Sequence, residues 1–157
     1  MKLENQFVVT APIETVWAAI TDPDVVAPCI PGFENAQVIT PTLYKATIKV
    51  QVGPISARFV MDVQIADQSS PTHLLATVRG EEGSRASQLK ADAELRLQAL
   101  EPNLTQVDFG AEVQIVGRLG KFGLGVMKKK SQELSNQFTA AFKAKVEQGT
   151  PAAAEAQ

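Results

Sequence analysis

From Tyr44 to Ile115 the sequence alternates apolar and polar residues with a period of two, and no other feature constrains the fold as strongly. Tyr44, Ala46, Ile48, Val50 and Val52 alternate with Lys45, Thr47, Lys49 and Gln51. Beyond Gly53-Pro54, a second set runs through Ala57, Phe59, Met61, Val63 and Ile65. Shorter and longer repeats of the pattern follow at Leu74 to Val78, Leu89 to Ala99 and Val107 to Ile115. Such alternation over successive segments predicts antiparallel strands with one covered and one wet face. The intervening turns, Gly53-Pro54, Gln68 to Thr72 and Glu101-Pro102-Asn103, suit consecutive hairpins, hence a meander.

The flanks read differently. Residues 2–10 predict a first strand. Pro12 and Glu14 then suit the first turn of a helix that carries Val16, Trp17 and Ile20 on one face. Asp22-Pro23 ends it, a short helical piece runs to about Ala27, and Pro28, Pro31 and Gly32 close the region. After Gly117 the period returns to 3.6: Met127, Leu134, Phe138, Phe142 (or Ala141) and Val146 form one stripe between about Lys121 and Glu147. At 1.5 Å per residue that helix is about 37 Å long. A sheet with one apolar face needs a cover, and this helix is the only element long enough. The expected fold is α+β: a curved antiparallel sheet of about seven strands wrapped around a long C-terminal helix, with two short helices after strand 1. One domain is expected over residues 1–147, followed by a flexible Pro/Ala-rich tail over 148–157.

Composition removes several function classes. With 157 residues and a net charge of −2, the chain is one ordinary globular domain with no global basic character for nucleic acid. Its single cysteine, Cys29, excludes an intrachain disulfide framework and a multi-cysteine metal site. No apolar run is long enough to span a bilayer, and MKLENQ has no signal-peptide core behind it, so a cytoplasmic location is expected. The total charge hides a segregation. Residues 1–117 hold eight bases and fourteen acids, and residues 118–157 hold seven bases and three acids. Lys121, Lys128, Lys129 and Lys130 cluster at the start of the long helix, either as a solvated face or as a basic edge for an anionic membrane or an acidic partner.

The catalytic inventory is thin. His73 is the only histidine and is expected as a solvated residue at a strand start. Cys29, between prolines, reads as a buried structural thiol. Glu81, Glu82, Ser84 and Arg85 read as a polar loop in preference to a paired-carboxylate site. The run from Gly117 to Gly125 lacks a phosphate-loop pattern. A tight strand-to-helix turn is the favoured reading, with a flexible lip over an internal space as the alternative. The inner face mixes large residues with Ala46, Ala57, Ala76, Ala91, Ala93 and Ala111, which fits either a close-packed core or an apolar cavity. No metal or other cofactor is called for.

Four segments carry a resemblance: Ala11 to Trp17, Cys29-Ile30-Pro31-Gly32-Phe33-Glu34, Lys49 to Ile55, and Gly117 to Gly123. On these the chain is similar to the carbon monoxide dehydrogenase G-subunit family of the START-like (SRPBCC, helix-grip) superfamily. The resemblance implies a non-catalytic accessory protein that assists maturation or membrane recruitment of a molybdenum hydroxylase. It also implies a lipid- or quinone-like ligand held between helix and sheet. The candidate cavity residues are then Trp17, Phe33, Ile48, Phe59, Met61 and Val78 on the first helix and early strands. Ala91, Phe122, Met127, Leu134 and Phe138 complete the set on the later elements. Two alternatives stay open: an interaction module with nothing inside, and a cyclase or hydrolase of the wider superfamily.

Overall fold

The computed structural model describes residues 1–83 and 86–149. Seven strands form one antiparallel sheet: β1 (Lys2–Val9), β2 (Phe33–Thr40), β3 (Leu43–Val52), β4 (Ile55–Ser69), β5 (His73–Glu82), β6 (Ser87–Glu101) and β7 (Leu104–Gly117). The order β1-β7-β6-β5-β4-β3-β2 is the expected meander, with the first strand returning to pair beside the last. Helices α1 (Ile13–Ile20) and α2 (Pro23–Val26) follow β1, and α3 (Leu124–Gly149) ends the described chain. The helical piece after Asp22 is split: α2 gives way to a 3₁₀ turn over Ala27–Cys29, because Pro28 removes the amide an α-helix needs there. α3 continues through residues 148 and 149, and the rest of the expected tail lies outside the described residues.

The local chemistry explains the helix boundaries. Asp22 caps α2 by accepting from the Asp24 amide at 2.9 Å, with Pro23 in the first turn where no donor is lost. Gly32 has φ +79°, and a Cβ there would sit 2.0 Å from the Lys49 carbonyl oxygen. The chain can therefore pass tightly against β3 and deliver Phe33 to the sheet only with glycine at this position.

Two buried clusters hold the ends of α3. At one end Phe142 and Val146 pack with Val9, Val16, Trp17, Leu95 and Val107. At the other, Met127 packs with Val52, Ala57, Phe59 and Leu119. Between them Leu134 and Phe138 are half-buried, and Asn5 of β1 donates a hydrogen bond to Thr139 at 2.8 Å. The helix is fastened at both ends and lies less deeply over the middle of the sheet.

Candidate functional site

Between the α1–α2 segment and the inner face of strands β2 to β6 lies a cavity of about 390 Å³, bordered by small side chains. Trp17 and Ile20 reach it from α1, and Thr21, Pro23, Val26 and Ile30 line it from the segment that follows. The sheet supplies Phe33 and Ala36 from β2, Tyr44 and Ala46 from β3, Val63 and Ile65 from β4, and Leu74 and Ala76 from β5. Ala36 and Ala46 are register partners, so two adjacent strands both withdraw their side chains at the same level. Among the described residues, the lining contains no carboxylate, amine, guanidine, imidazole or thiol. Its polar groups are Thr21, Tyr44, Gln68 and the indole of Trp17. The Thr21 hydroxyl donates to the Trp17 carbonyl at 2.7 Å, and the Tyr44 hydroxyl donates to the Pro41 carbonyl at 3.1 Å.

Larger hollows of about 600 and 570 Å³ lie along the outer face of the sheet. Charged residues such as Lys45, Asp62, Arg79 and Lys90 line the first, and Glu4, Glu94, Arg96 and Asp108 the second. They are charged surface grooves; of these three, the smaller hollow beneath α1–α2 has the apolar walls a hydrophobic ligand requires.

The structure divides the candidate set drawn from the sequence. Trp17 and Phe33 line the cavity. Phe59 and Met127 are buried in the cluster at the start of α3, with Met61 and Phe122 packed against it. Ala91 is buried with Ala111 and Val113, and Val78 packs on that group. Phe138 stacks on Phe142 with ring centroids 5.7 Å apart. Ile48 and Leu134 are half-buried, Ile48 between Phe33 and Phe59 in the β-ladder. Ile20 and Tyr44, which the periodicities put on inward faces but which are not among the candidate cavity residues, also line the hollow, as do Thr21 and Gln68, which lie outside both patterns. The paired alanines of β2 and β3 were the available signal.

The remaining chemistry lies elsewhere. His73 sits at a strand start as expected, but it is tied down, with Nε2 2.7 Å from Glu94 Oε2 on the outer face. Cys29 is buried, its thiol pushed up chiefly by desolvation. Gly117 (φ +98°) and Gly120 would each drive a Cβ into backbone, 2.2 Å from the Ala86 oxygen and 2.8 Å from the Ile115 oxygen. They form the close strand-to-helix turn. Lys121, Lys128 and Lys129 are exposed, Lys130 is half-buried, and Leu124 beside them is 72% exposed. Among the described residues there is no group of three His, Cys, Asp or Glu side chains able to hold a metal, and no helix long and apolar enough to cross a membrane.

Glu82 departs from the expectation of a solvated loop carboxylate. It ends β5 on the inner face, is 4% exposed, and forms a bidentate pair with Arg118: Nε donates at 3.0 Å and Nη2 to the second oxygen. The parity of β5 turns it inward, and the arginine after β7 meets it there. The Arg118 hydrogen bond outweighs desolvation and holds the carboxyl below its ordinary 4.5. Its contribution to stability is therefore complete above that value and is lost as pH falls through the lower folded-state value. Urea midpoints should accordingly fall more steeply with acid in the parent than in Glu82→Gln; superimposable acid limbs would remove this role.

The family profile of the carbon monoxide dehydrogenase G-subunit (CoxG) matches residues 6–147. Among solved structures, a conserved protein from Geobacillus kaustophilus superposes with TM-score 0.87 at 18% identity, over 94% of this chain and 96% of that one. A START superfamily protein from Mycobacterium smegmatis gives TM-score 0.76 at 15% identity, over 95% and 99%. The Zhui aromatase/cyclase from Streptomyces sp. R1128 gives 0.62 at 15% identity, over 94% and 93%. At these identities the likeness is one of fold. The search of curated proteins found no match.

Proposed function

Because the chain belongs to the carbon monoxide dehydrogenase G-subunit (CoxG) family, we propose that it is a non-catalytic accessory protein of a molybdenum hydroxylase that carries a lipid- or quinone-like molecule. The cavity of about 390 Å³ beneath α1–α2 is the observation that carries this reading. Its apolar walls suit a hydrophobic guest, and the lack of any acid or strong base among its lining residues favours carriage over acid–base chemistry. Native mass spectrometry of the purified protein should show an added mass that organic extraction removes. Protein that stays at its bare mass when offered ubiquinone analogues and phospholipid would count against carriage.

A second reading concerns where such a carrier docks. Leu124 and Val126 stand exposed beside Lys121, Lys128 and Lys129, an apolar tip in a basic setting. That combination supports contact with an anionic membrane surface, each lysine contributing about 1 kcal/mol near it. Converting Lys128, Lys129 and Lys130 to glutamate should abolish cosedimentation with phosphatidylglycerol vesicles while leaving the fold intact. Unchanged cosedimentation would leave these lysines as a solvated helix face.

A further inference from the structure

We infer that the cavity selects uncharged amphiphiles, alcohols and carbonyl compounds, and rejects fatty-acid anions; this rests on the carrier reading above. Two observations converge. First, none of the lining residues brings a positive charge to the hollow. A carboxylate taken out of water needs a cation or a full set of donors, and without them it stays in solvent or binds only in its protonated form.

Second, the hydroxyl hydrogens that would solvate an anion are already committed. Thr21 directs its own to the Trp17 carbonyl and Tyr44 to the Pro41 carbonyl. Each oxygen keeps lone pairs, so both face a guest as acceptors. The donors left in the lining are the Gln68 amide and the Trp17 indole N–H. This inventory fits a ligand hydroxyl that donates to Thr21 or Tyr44, or a carbonyl that accepts from Gln68 or Trp17. Those two neutral donors are enough for a carbonyl, but with no cation beside them they fall short of the full set of charge-assisted bonds a buried carboxylate needs. The walls around these groups are aliphatic and aromatic, so the rest of the guest is hydrocarbon.

The test is displacement of the neutral dye N-phenyl-1-naphthylamine by a chain-matched pair, dodecanol and dodecanoate, at neutral pH and below their aggregation limits. Dodecanol should displace the dye at a concentration at least about tenfold lower than dodecanoate, a difference of about 1.4 kcal/mol. The gap should close as the pH falls toward the carboxyl's own pKa. Gln68 is exposed at the edge of the hollow, so Gln68→Arg adds a cation there without disturbing the core. That variant should bind dodecanoate at least as well as dodecanol. Equal displacement by both compounds in the parent protein, or a Gln68→Arg variant indifferent to dodecanoate, overturns the charge selection while the carrier reading stands. Failure of the dye and of dodecanol to bind at all overturns the carrier reading, and the selection with it.

Discussion

Phe142→Ala is expected to lower stability by about 3–5 kcal/mol, the range for truncating a fully buried aromatic. Phe142 is wholly inaccessible to solvent, and it sits where α3, β1 and α1 converge. Its ring stacks on Phe138 at 5.7 Å and meets the edge of Phe7 at 6.3 Å, arrangements that add to simple burial. Removing it opens a void that neither backbone can close, because β1 is pinned by its ladder to β7 along its whole length. In a domain of this size the loss corresponds to a fall in Tm of roughly 10 °C or more. Phe138→Ala, one turn earlier and half-buried, should cost distinctly less, since its outer surface has no packing to lose. Urea denaturation of both variants decides the point; equal losses would mean that the C-terminal half of α3 is not anchored through Phe142.

The comparison of these two phenylalanines shows what the sequence could and could not convey. The 3.6-residue stripe placed Met127, Leu134, Phe138 and Phe142 on one face of α3, and the strand alternation identified the inner face of nearly every strand. Both periodicities arise from covalent geometry, so they are legible without tertiary information. How deeply each inward residue is buried depends on the distance between helix and sheet, which periodicity does not encode. Phe109 has the inner parity of β7 yet is 37% exposed, while Glu82 has inner parity in β5 and is buried, paired to the exposed Arg118. The alanines tell the same story. Ala46 and Ala76 front the cavity, whereas Ala57, Ala91 and Ala111 lie in filled clusters. A small residue makes space only where its neighbours across the gap do not advance into it, and at Ala57 the side chains of Leu119 and Met127 do. Phe59, Met127 and Phe138, on the same inward faces, fill space. The cavity formed instead beneath the proline-bounded segment after α1, where a short, capped α2 and the tight Gly32 turn hold the chain over β2 to β5.

That distinction gives the sharpest test of where the guest sits. Ala46→Trp should weaken binding of N-phenyl-1-naphthylamine at least about tenfold, which is about 1.4 kcal/mol or more. Ala46 points into the hollow between its register partners Ala36 and Met61, so an indole there enters empty space and occupies what the dye would occupy. Because the space already exists, the circular dichroism spectrum and urea midpoint should stay near those of the parent. Ala91→Phe has the opposite signature. Ala91 is 7% exposed among Ala111 and Val113, and an added ring there meets packed side chains, at a cost of about 1–3 kcal/mol. It does not line the hollow, so the variant that remains folded should bind the dye as the parent does. One substitution removes binding and keeps stability, and the other does the reverse. If Ala91→Phe abolished dye binding and Ala46→Trp left it intact, the guest would lie under the middle of α3, where Leu134 is only half-buried, and the α1–α2 cavity would lose its role.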